Sequence, residues 1–343
     1  MRRAAGRAIA HLVWEGVPLA SIGSSFSSFF DAVGDFVSNL AAVNWLALLL
    51  GMAIFIGYLS VRALASFRIL RAAYPEERIE FRQVWGAYLA GYGFNSVVPA
   101  RGGDIVRLFL TKTSVPNSSY PAVGSSFFVE QLFDLSMAIP ILIFAFSQGA
   151  FPKPPDFSSL PAFDLAFLAS HPRFTLFLLT ALAIAALAAF ALLSARVRAF
   201  WSRVRQGLTI LQDRRRYFRQ VWLLQLGGWG LRFAAFWFLL SAFNVGGSVK
   251  NVLLVLGVNA IAALVPFTPG GAGVQQALLV KVFGSGSVVA AYSVGQQIAI
   301  AALTFGIGLA SVIWIFKFRS FKEVIAAGRA QREAEKSAAA EPA

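Results

Sequence analysis

The sequence contains no cysteine, only two histidines, and charged residues at only 13% of its 343 positions. Without cysteine, disulfides, thiolate metal sites and cysteine nucleophiles are excluded. Soluble domains carry about 25% charged residues, so this low content argues against an ordinary soluble protein. The chain is instead 57% hydrophobic, which is typical of an integral membrane protein, and no compact soluble domain of useful size fits outside the hydrophobic segments.

Several patterns of familiar enzyme chemistry are also missing. The chain has no Asp-x-Asp of a metal-using glycosyltransferase, no His-Glu-x-x-His, no Gly-x-Ser-x-Gly and no P-loop. His11 and His171 are isolated and lie outside the predicted spans. We therefore expect no metal, no cofactor, no direct use of ATP and no catalytic residue, and we predict that the protein is not an enzyme.

Acidic residues are scarce, since 16 Asp and Glu against 30 Lys and Arg give a net charge of +14. The basic residues cluster between hydrophobic segments, at 67–82, at 195–219 and after 316, whereas 147–173 and 244–250 carry few. The positive-inside rule therefore predicts a multi-pass protein of the inner (plasma) membrane with a cytoplasmic C-terminus. Basic loops beside spans favour anionic lipid, and not nucleic acid, as their partner.

Long hydrophobic runs predict an all-α, polytopic helical bundle. The predicted spans are 45–65, 123–146, 174–193, 221–243 and 288–316. Trp45 suits one membrane interface, and Arg62, Arg68 and Arg71 suit the other.

The chain divides into three parts. Residues 1–40 form an amphipathic segment that is either a degenerate first span or an interfacial helix, and Glu15 favours the interfacial helix because a carboxylate is costly in lipid. Residues 41–318 form the transmembrane domain. Residues 319–343 begin with basic residues and continue as an Ala/Glu tail that we expect to be disordered.

Two shorter hydrophobic stretches are interrupted by Pro and Gly-Gly. The first runs over 83–98 and resumes at 105–110, and the second runs over 252–265 and resumes at 272–283. No half is long enough to span a membrane alone, so each stretch is predicted to be a re-entrant helical hairpin. The loop charges make one hairpin enter from the cytoplasm and the other from outside, which predicts two inverted repeats. Paired interruptions of this kind indicate a transport site.

Charged residues surround the first interruption. Arg101 and Arg107 lie beside the start of the second half-helix, where free N–H groups and the helix dipole favour an anion such as phosphate. The alternative is that either arginine only extends to the cytoplasmic surface. Asp104 is predicted to brace one of them through an ion pair. The candidate anion-binding residues of this half are Asn95, Arg101, Gly102, Gly103 and Arg107.

Three further charged residues lie inside predicted spans. Glu130 and Asp134 are four residues apart and share a helix face, so they are candidates for proton coupling, for a contact with a lysyl-type cation, or for a structural pair with Arg101, Arg107 or Arg232. Arg232, near the middle of its span, must meet a partner or water. We predict a second phosphate contact or a static pair with Glu130.

The second interruption supplies neutral candidates. Gly270, Gly271 and Gly273 would let the backbone approach a ligand, or alternatively another helix. Gln276 and three further glutamines are hydrogen-bonding groups suited to a headgroup path, or alternatively to bonds between helices. Those three are Gln275, Gln296 and Gln297.

Three motifs in this order resemble the transmembrane flippase domain of the lysylphosphatidylglycerol synthase (multiple peptide resistance factor) family. They are Asn95…Pro99-Ala-Arg-Gly-Gly-Asp104…Arg107, Glu130-Gln-Leu-Phe-Asp134 and Pro269-Gly-Gly-Ala-Gly273, and the similarity covers about 40–318. Members occur fused to a soluble aminoacyl-transferase domain or alone, and this chain is similar to the stand-alone kind. It departs from the family at Gln276, where Glu is frequent, and at Gln296-Gln297, where Arg is frequent.

The resemblance implies translocation of an anionic or aminoacylated phospholipid, or of a polyprenyl-phosphate-linked lipid, between membrane leaflets. The expected partners are therefore membrane lipids, with a homo-oligomer or a partner in lipid or glycan synthesis left open. The alternative functions are a membrane enzyme, or an accessory subunit or scaffold for a glycosyltransferase of lipid or glycan synthesis.

Because the chain lacks cysteine, its topology can be tested with single introduced thiols. The charge asymmetry predicts that Ser158→Cys and Arg205→Cys label from opposite sides of the membrane with an impermeant maleimide. Labelling from the same side would contradict the inverted-repeat prediction.

Overall fold

The computed structural model describes residues 42–98, 100–149, 180, 198, 200–263 and 273–318, and these contain helices and no strand. The helices are α1 Trp45–Ala73, α2 Phe81–Asn95, α3 Gly102–Ser114, α4 Tyr120–Ser147, α5 Arg214–Ala242, α6 Val249–Ala262, α7 Val274–Phe283 and α8 Ser287–Trp314. Of these described helices, α1, α4, α5 and α8 are long and apolar enough to cross a membrane. The predicted all-α, polytopic membrane fold is confirmed.

Some predictions fall outside the described residues. These are the segment 1–40, the span 174–193, the tail 319–343, and the single residues Pro99, Gly270 and Gly271.

Side-chain caps fix where several helices begin. The Asn44 side chain accepts a hydrogen bond from the Ala47 N–H at 3.1 Å, and the Ser248 hydroxyl accepts one from the Asn251 N–H at 3.1 Å. Such caps satisfy N–H groups that have no partner in the first turn. The span predicted for α1 ends at residue 65, but the helix does not end there and continues to Ala73.

Helices α1 and α5 form the most extensive helix pair and run antiparallel. At one end, the Asn44 N–H donates to the Ala242 carbonyl at 2.9 Å, so the start of α1 meets the end of α5. At the other end, Arg68 donates to the Gln220 carbonyl at 3.2 Å. The first helices of the two halves therefore run in opposite directions, as an inverted repeat requires, although the repeat itself stays a prediction.

Helices α2 and α8 also pack antiparallel and at unusually close range. A Cβ on Gly93 would meet backbone atoms of Thr304 and Phe305, and a Cβ on Gly308 would lie 3.0 Å from the Ala90 Cα and the Leu89 carbonyl oxygen. Only glycine permits such an approach, because any side chain would have to displace backbone.

The first interruption folds α2 and α3 into a helical hairpin. The backbone is left-handed at Ala100 and Arg101, each with φ 56°. The Gly102-Gly103 pair does not supply this conformation, since α3 begins at Gly102. Gly103 is required for another reason: its Cα faces backbone atoms of Gly91, leaving no room for a side chain.

The second interruption separates α6 from α7, which also pack against each other. The four helices α2, α3, α6 and α7 contain 15, 13, 14 and 10 residues, too few to span the hydrocarbon core singly. Their re-entrant placement in the membrane stays a prediction.

The close packing of α2 on α8 can be tested with two alanine substitutions. Gly93→Ala should lower the free energy of unfolding by about 1–3 kcal/mol, because the methyl group collides with the backbone of α8. Gly306→Ala is the matched control in α8. Nothing lies within 4 Å of the added methyl group, so it should stabilise the protein by about 0.5–1 kcal/mol. Equal melting temperatures in detergent would contradict this packing.

Candidate functional site

A cavity of about 670 Å³ lies among the helices, and its wall includes residues from α1, α2, α4, α5, α6, α7 and α8 and from the start of α3. It brings together several predicted site residues that are far apart in the sequence. These are Asn95, Arg101, Asp104, Arg107, Asp134 and Arg232. Gln275, Gln296 and Gln297 also line it.

Arg62 is a wall residue whose surroundings differ from the predicted ones. It was predicted to lie at a membrane interface, yet it is only 5% exposed. Both terminal nitrogens donate to the two carboxylate oxygens of Asp134, and Nε donates to the Tyr88 hydroxyl at 2.7 Å. The signal was present, because the apolar run continues past Arg62 through Ala63, Leu64 and Ala65.

Glu130 is the buried centre of the charge network. It is 2% exposed and accepts a hydrogen bond from the Arg107 guanidinium at 2.5 Å. The Arg62 guanidinium lies 3.7 Å from its other oxygen. Of the predicted partners, Arg107 is therefore correct, whereas neither Arg101 nor Arg232 forms an ion pair with Glu130 among the described residues.

Arg107 contacts aromatic rings and a hydroxyl group in addition to Glu130. Its guanidinium carbon lies 4.1 Å from the centre of the Tyr88 ring and 3.9 Å from that of Phe127, and it donates to the Ser66 hydroxyl at 2.9 Å. Cation–π contact and charge-assisted bonds at this distance fix a planar guanidinium in place. Through Glu130 and Asp134, Arg62 and Arg107 join α1, α3 and α4, and Arg62 also bonds Tyr88 of α2.

Arg101 is bound much more loosely. It precedes α3, its side chain is 58% exposed, and its Nε lies 4.0 Å from the Asp104 carboxylate. Asp104 lies in the first turn of α3 and also accepts a hydrogen bond from Asn95 at 2.8 Å. The predicted pairing of Asp104 with Arg101 is present as a weak, solvated contact.

Arg232 is the one arginine of the described cavity wall without a carboxylate within ion-pair distance. Its guanidinium carbon lies instead 5.0 Å from the Trp229 ring, 5.7 Å from Tyr58 and 5.9 Å from Phe236. The predicted static pair with Glu130 is therefore wrong. Aromatic faces stabilise the cation but do not neutralise it.

Amide side chains from α6, α7 and α8 form another part of the wall. Gln275 donates to the Asn259 side-chain oxygen at 2.8 Å. Gln276 accepts from the Gly273 N–H, which caps α7, and donates to Gln297. Gln297 lines the cavity, whereas Gln276 does not line it and hydrogen-bonds Gln297.

The remaining predicted residues do not line the described cavity. Gly102 starts α3, Gly103 packs against α2, Gly273 precedes α7 with φ 83°, and Glu130 lies behind the wall. No group of three or more His, Cys, Asp or Glu residues suited to a metal occurs in the part of the chain that the structure describes.

The pair formed by the buried Arg62 and the partly buried Asp134 can be tested by a double-mutant cycle. Arg62→Gln should cost about 3–5 kcal/mol of unfolding free energy, because it leaves buried carboxylates short of a cation. Adding Asp134→Asn should recover part of that loss, whereas Asp104→Asn, at an exposed position, should change stability by less than about 0.5 kcal/mol. Denaturation in detergent measures the wild type, the Arg62→Gln and Asp134→Asn single variants, the double variant and the Asp104→Asn control, and strict additivity would refute the pairing.

Comparison with known proteins assigns a family to this arrangement. The family model described as the lysylphosphatidylglycerol synthase TM region matches residues 19–330, which extends beyond both ends of the predicted transmembrane domain. No curated protein and no solved structure matches the chain. The family model covers most of the chain, including all of the described cavity wall. The chain is therefore a multi-pass membrane protein that belongs to the family of the lysylphosphatidylglycerol synthase transmembrane region.

Proposed function

We propose that this protein translocates an anionic, phosphate-bearing lipid between the two leaflets of the cell membrane and that it catalyses no covalent reaction. The observation that carries the proposal is the position of Arg232. It lies within the candidate membrane span α5, lines the cavity, and has no carboxylate partner among the described residues. An ionisable group at such a depth is costly unless an ion or water meets it.

The charge balance of the wall supports an anionic ligand. Four arginines line it, and the carboxylates that line it with them are Asp104 and Asp134. Asp134 is committed to Arg62, and Asp104 bonds Asn95 and contacts Arg101. Even with Glu130 included, the described site carries one more cation than anions, and a phosphate at Arg232 would balance it.

Helix α4 offers a way to keep the lipid tails outside the polar cavity. Phe128, Leu132 and Leu135 line the cavity, and these large apolar side chains are 57%, 37% and 58% exposed. The same helix carries Asp134 on the wall. A headgroup in the cavity could therefore cross while its acyl chains stay against an apolar helix face.

The antiparallel packing of α1 on α5 supports a transport cycle. Helices that begin two halves in opposite directions are the arrangement from which alternating access is built in many transporters. We infer that the C-terminus and the basic segment 195–219 face the cytoplasm, where exposed cations such as Arg203 and Arg215 would hold anionic headgroups near the cavity.

The test is lipid movement in vesicles containing the purified full chain. Dithionite quenching of a fluorescent phosphatidylglycerol should show faster movement than in empty vesicles, and fluorescent phosphatidylcholine should not. Arg232→Gln should slow the movement about tenfold, because one charge-assisted contact is worth about 1.5–3 kcal/mol.

Lys250→Gln is the matched control, since Lys250 is an exposed cation that lies outside the basic segment 195–219 and does not line the described cavity. It should move phosphatidylglycerol at the wild-type rate. Equal rates for Arg232→Gln and wild type would remove Arg232 from the site. Vesicles in which the wild-type chain moves no anionic lipid would overturn the proposal in favour of a role in lipid or glycan synthesis.

A further inference from the structure

We infer that the lipid headgroup taken by this cavity joins its phosphate to a neutral, hydroxylated group, such as glycerol or a sugar, and does not carry an amino acid. This inference rests on the proposed function and narrows its substrate class. It comes from the part of the cavity wall that lies on α6, α7 and α8. We call this part the amide wall and define it by Asn259, Gln275, Gln296 and Gln297.

The amide wall is neutral and has hydrogen-bonding capacity to spare. The bond between Gln275 and Asn259 uses one donor of the first side chain and part of the acceptor of the second. A primary amide has two donors and an acceptor with two lone pairs, so each retains further sites. Hydroxyl groups, which both donate and accept, match such a surface.

Unpartnered buried atoms at the cavity indicate that something completes it. Gln296 is 1% exposed, and its side-chain oxygen has no hydrogen-bond partner among the described residues. The ring N–H of Trp229, another wall residue, also lacks one. Buried polar groups are nearly always satisfied, so an acceptor and a donor left open beside one cavity point to a ligand that supplies both.

An aminoacylated headgroup would meet the opposite situation. Its ammonium group has donors and a positive charge but no acceptor. The described wall carries four arginines against two carboxylates; Asp134 bonds Arg62, and Asp104 bonds Asn95 and lies 4.0 Å from Arg101. Residues 264–272, which connect α6 to α7, include no Asp or Glu. A further cation would therefore add to the excess of positive charge in the described wall, where like charges repel.

The test is competitive binding of defined lipids to the purified full chain in detergent. The probes are phosphatidylglycerol, a polyprenyl-phosphate hexose, phosphatidic acid, lysylphosphatidylglycerol and phosphatidylcholine. At least one hydroxylated anionic probe should bind about five- to tenfold more tightly than phosphatidic acid and lysylphosphatidylglycerol. Phosphatidic acid lacks the hydroxylated group, and the group attached to the phosphate of lysylphosphatidylglycerol is cationic. The stronger of the two hydroxylated probes identifies whether the headgroup is a glycerol or a sugar.

A single substitution should reverse the preference. Asn259→Asp keeps an oxygen to accept from Gln275 while it adds a negative charge to the amide wall. It should raise lysylphosphatidylglycerol binding about tenfold relative to phosphatidylglycerol. Asn251→Asp is the matched control, since Asn251 lies in the first turn of the same helix and does not line the described cavity. It should leave the ratio unchanged.

The outcomes separate this inference from the proposed function. Lysylphosphatidylglycerol binding as tightly as either hydroxylated probe, or an unchanged ratio in a folded Asn259→Asp protein, overturns the neutral headgroup while anionic lipid transport stands. Phosphatidylcholine binding as tightly as every anionic probe overturns both. A hydroxylated anionic lipid preferred by wild type but not by Asn259→Asp supports both.

Discussion

The salt-bridged contact of Glu130 with Arg107 and Arg62 is the interaction on which the rest of the cavity depends. A carboxylate that is 2% exposed would be strongly destabilising alone, so both arginines must stay where they are. Because these residues lie on three helices, the pair of bonds fixes α1, α3 and α4 around one edge of the cavity. Of the cavity arginines outside this network, Arg101 contacts Asp104, whereas Arg232 has no carboxylate partner among the described residues and remains for a ligand.

Much of the fold follows from hydropathy and helix breakers. The four described spans coincide with long apolar runs, and the Pro/Gly-Gly interruptions separate the short helices correctly. The sequence could not give the end of α1, because hydropathy marks where lipid-facing residues stop and not where a helix stops. It also could not give the reason for glycine at 103, which is its contact with the Gly91 carbonyl oxygen of the neighbouring helix.

The site was predictable in its members more than in its pairings. Charged residues inside apolar runs, such as Glu130 and Arg232, are conspicuous because lipid tolerates few of them. Their partners depend on tertiary contacts that no local pattern encodes. Asp134 meets Arg62 across 72 positions, and Arg232 meets aromatic rings where a carboxylate was one of the alternatives. The rule that places arginines at membrane interfaces misassigned Arg62, since it takes no account of a partner inside the bundle.

The glycine contacts within the bundle have a mechanical consequence. Gly103 of α3 meets the Gly91 carbonyl oxygen of α2, and Gly93 of α2 meets main-chain atoms of Thr304 and Phe305 in α8. Main-chain atoms cannot change rotamer to absorb a displacement, so we expect α2, α3 and α8 to move together as one lever. Arg107 and Gln297 lie on helices of that lever, α3 and α8, whereas Arg232 and Asn259 lie on α5 and α6. Because Arg107 also bonds Glu130 of α4, a rocking of the lever would have to strain that bond while it changes the distance between Gln297 and Arg232.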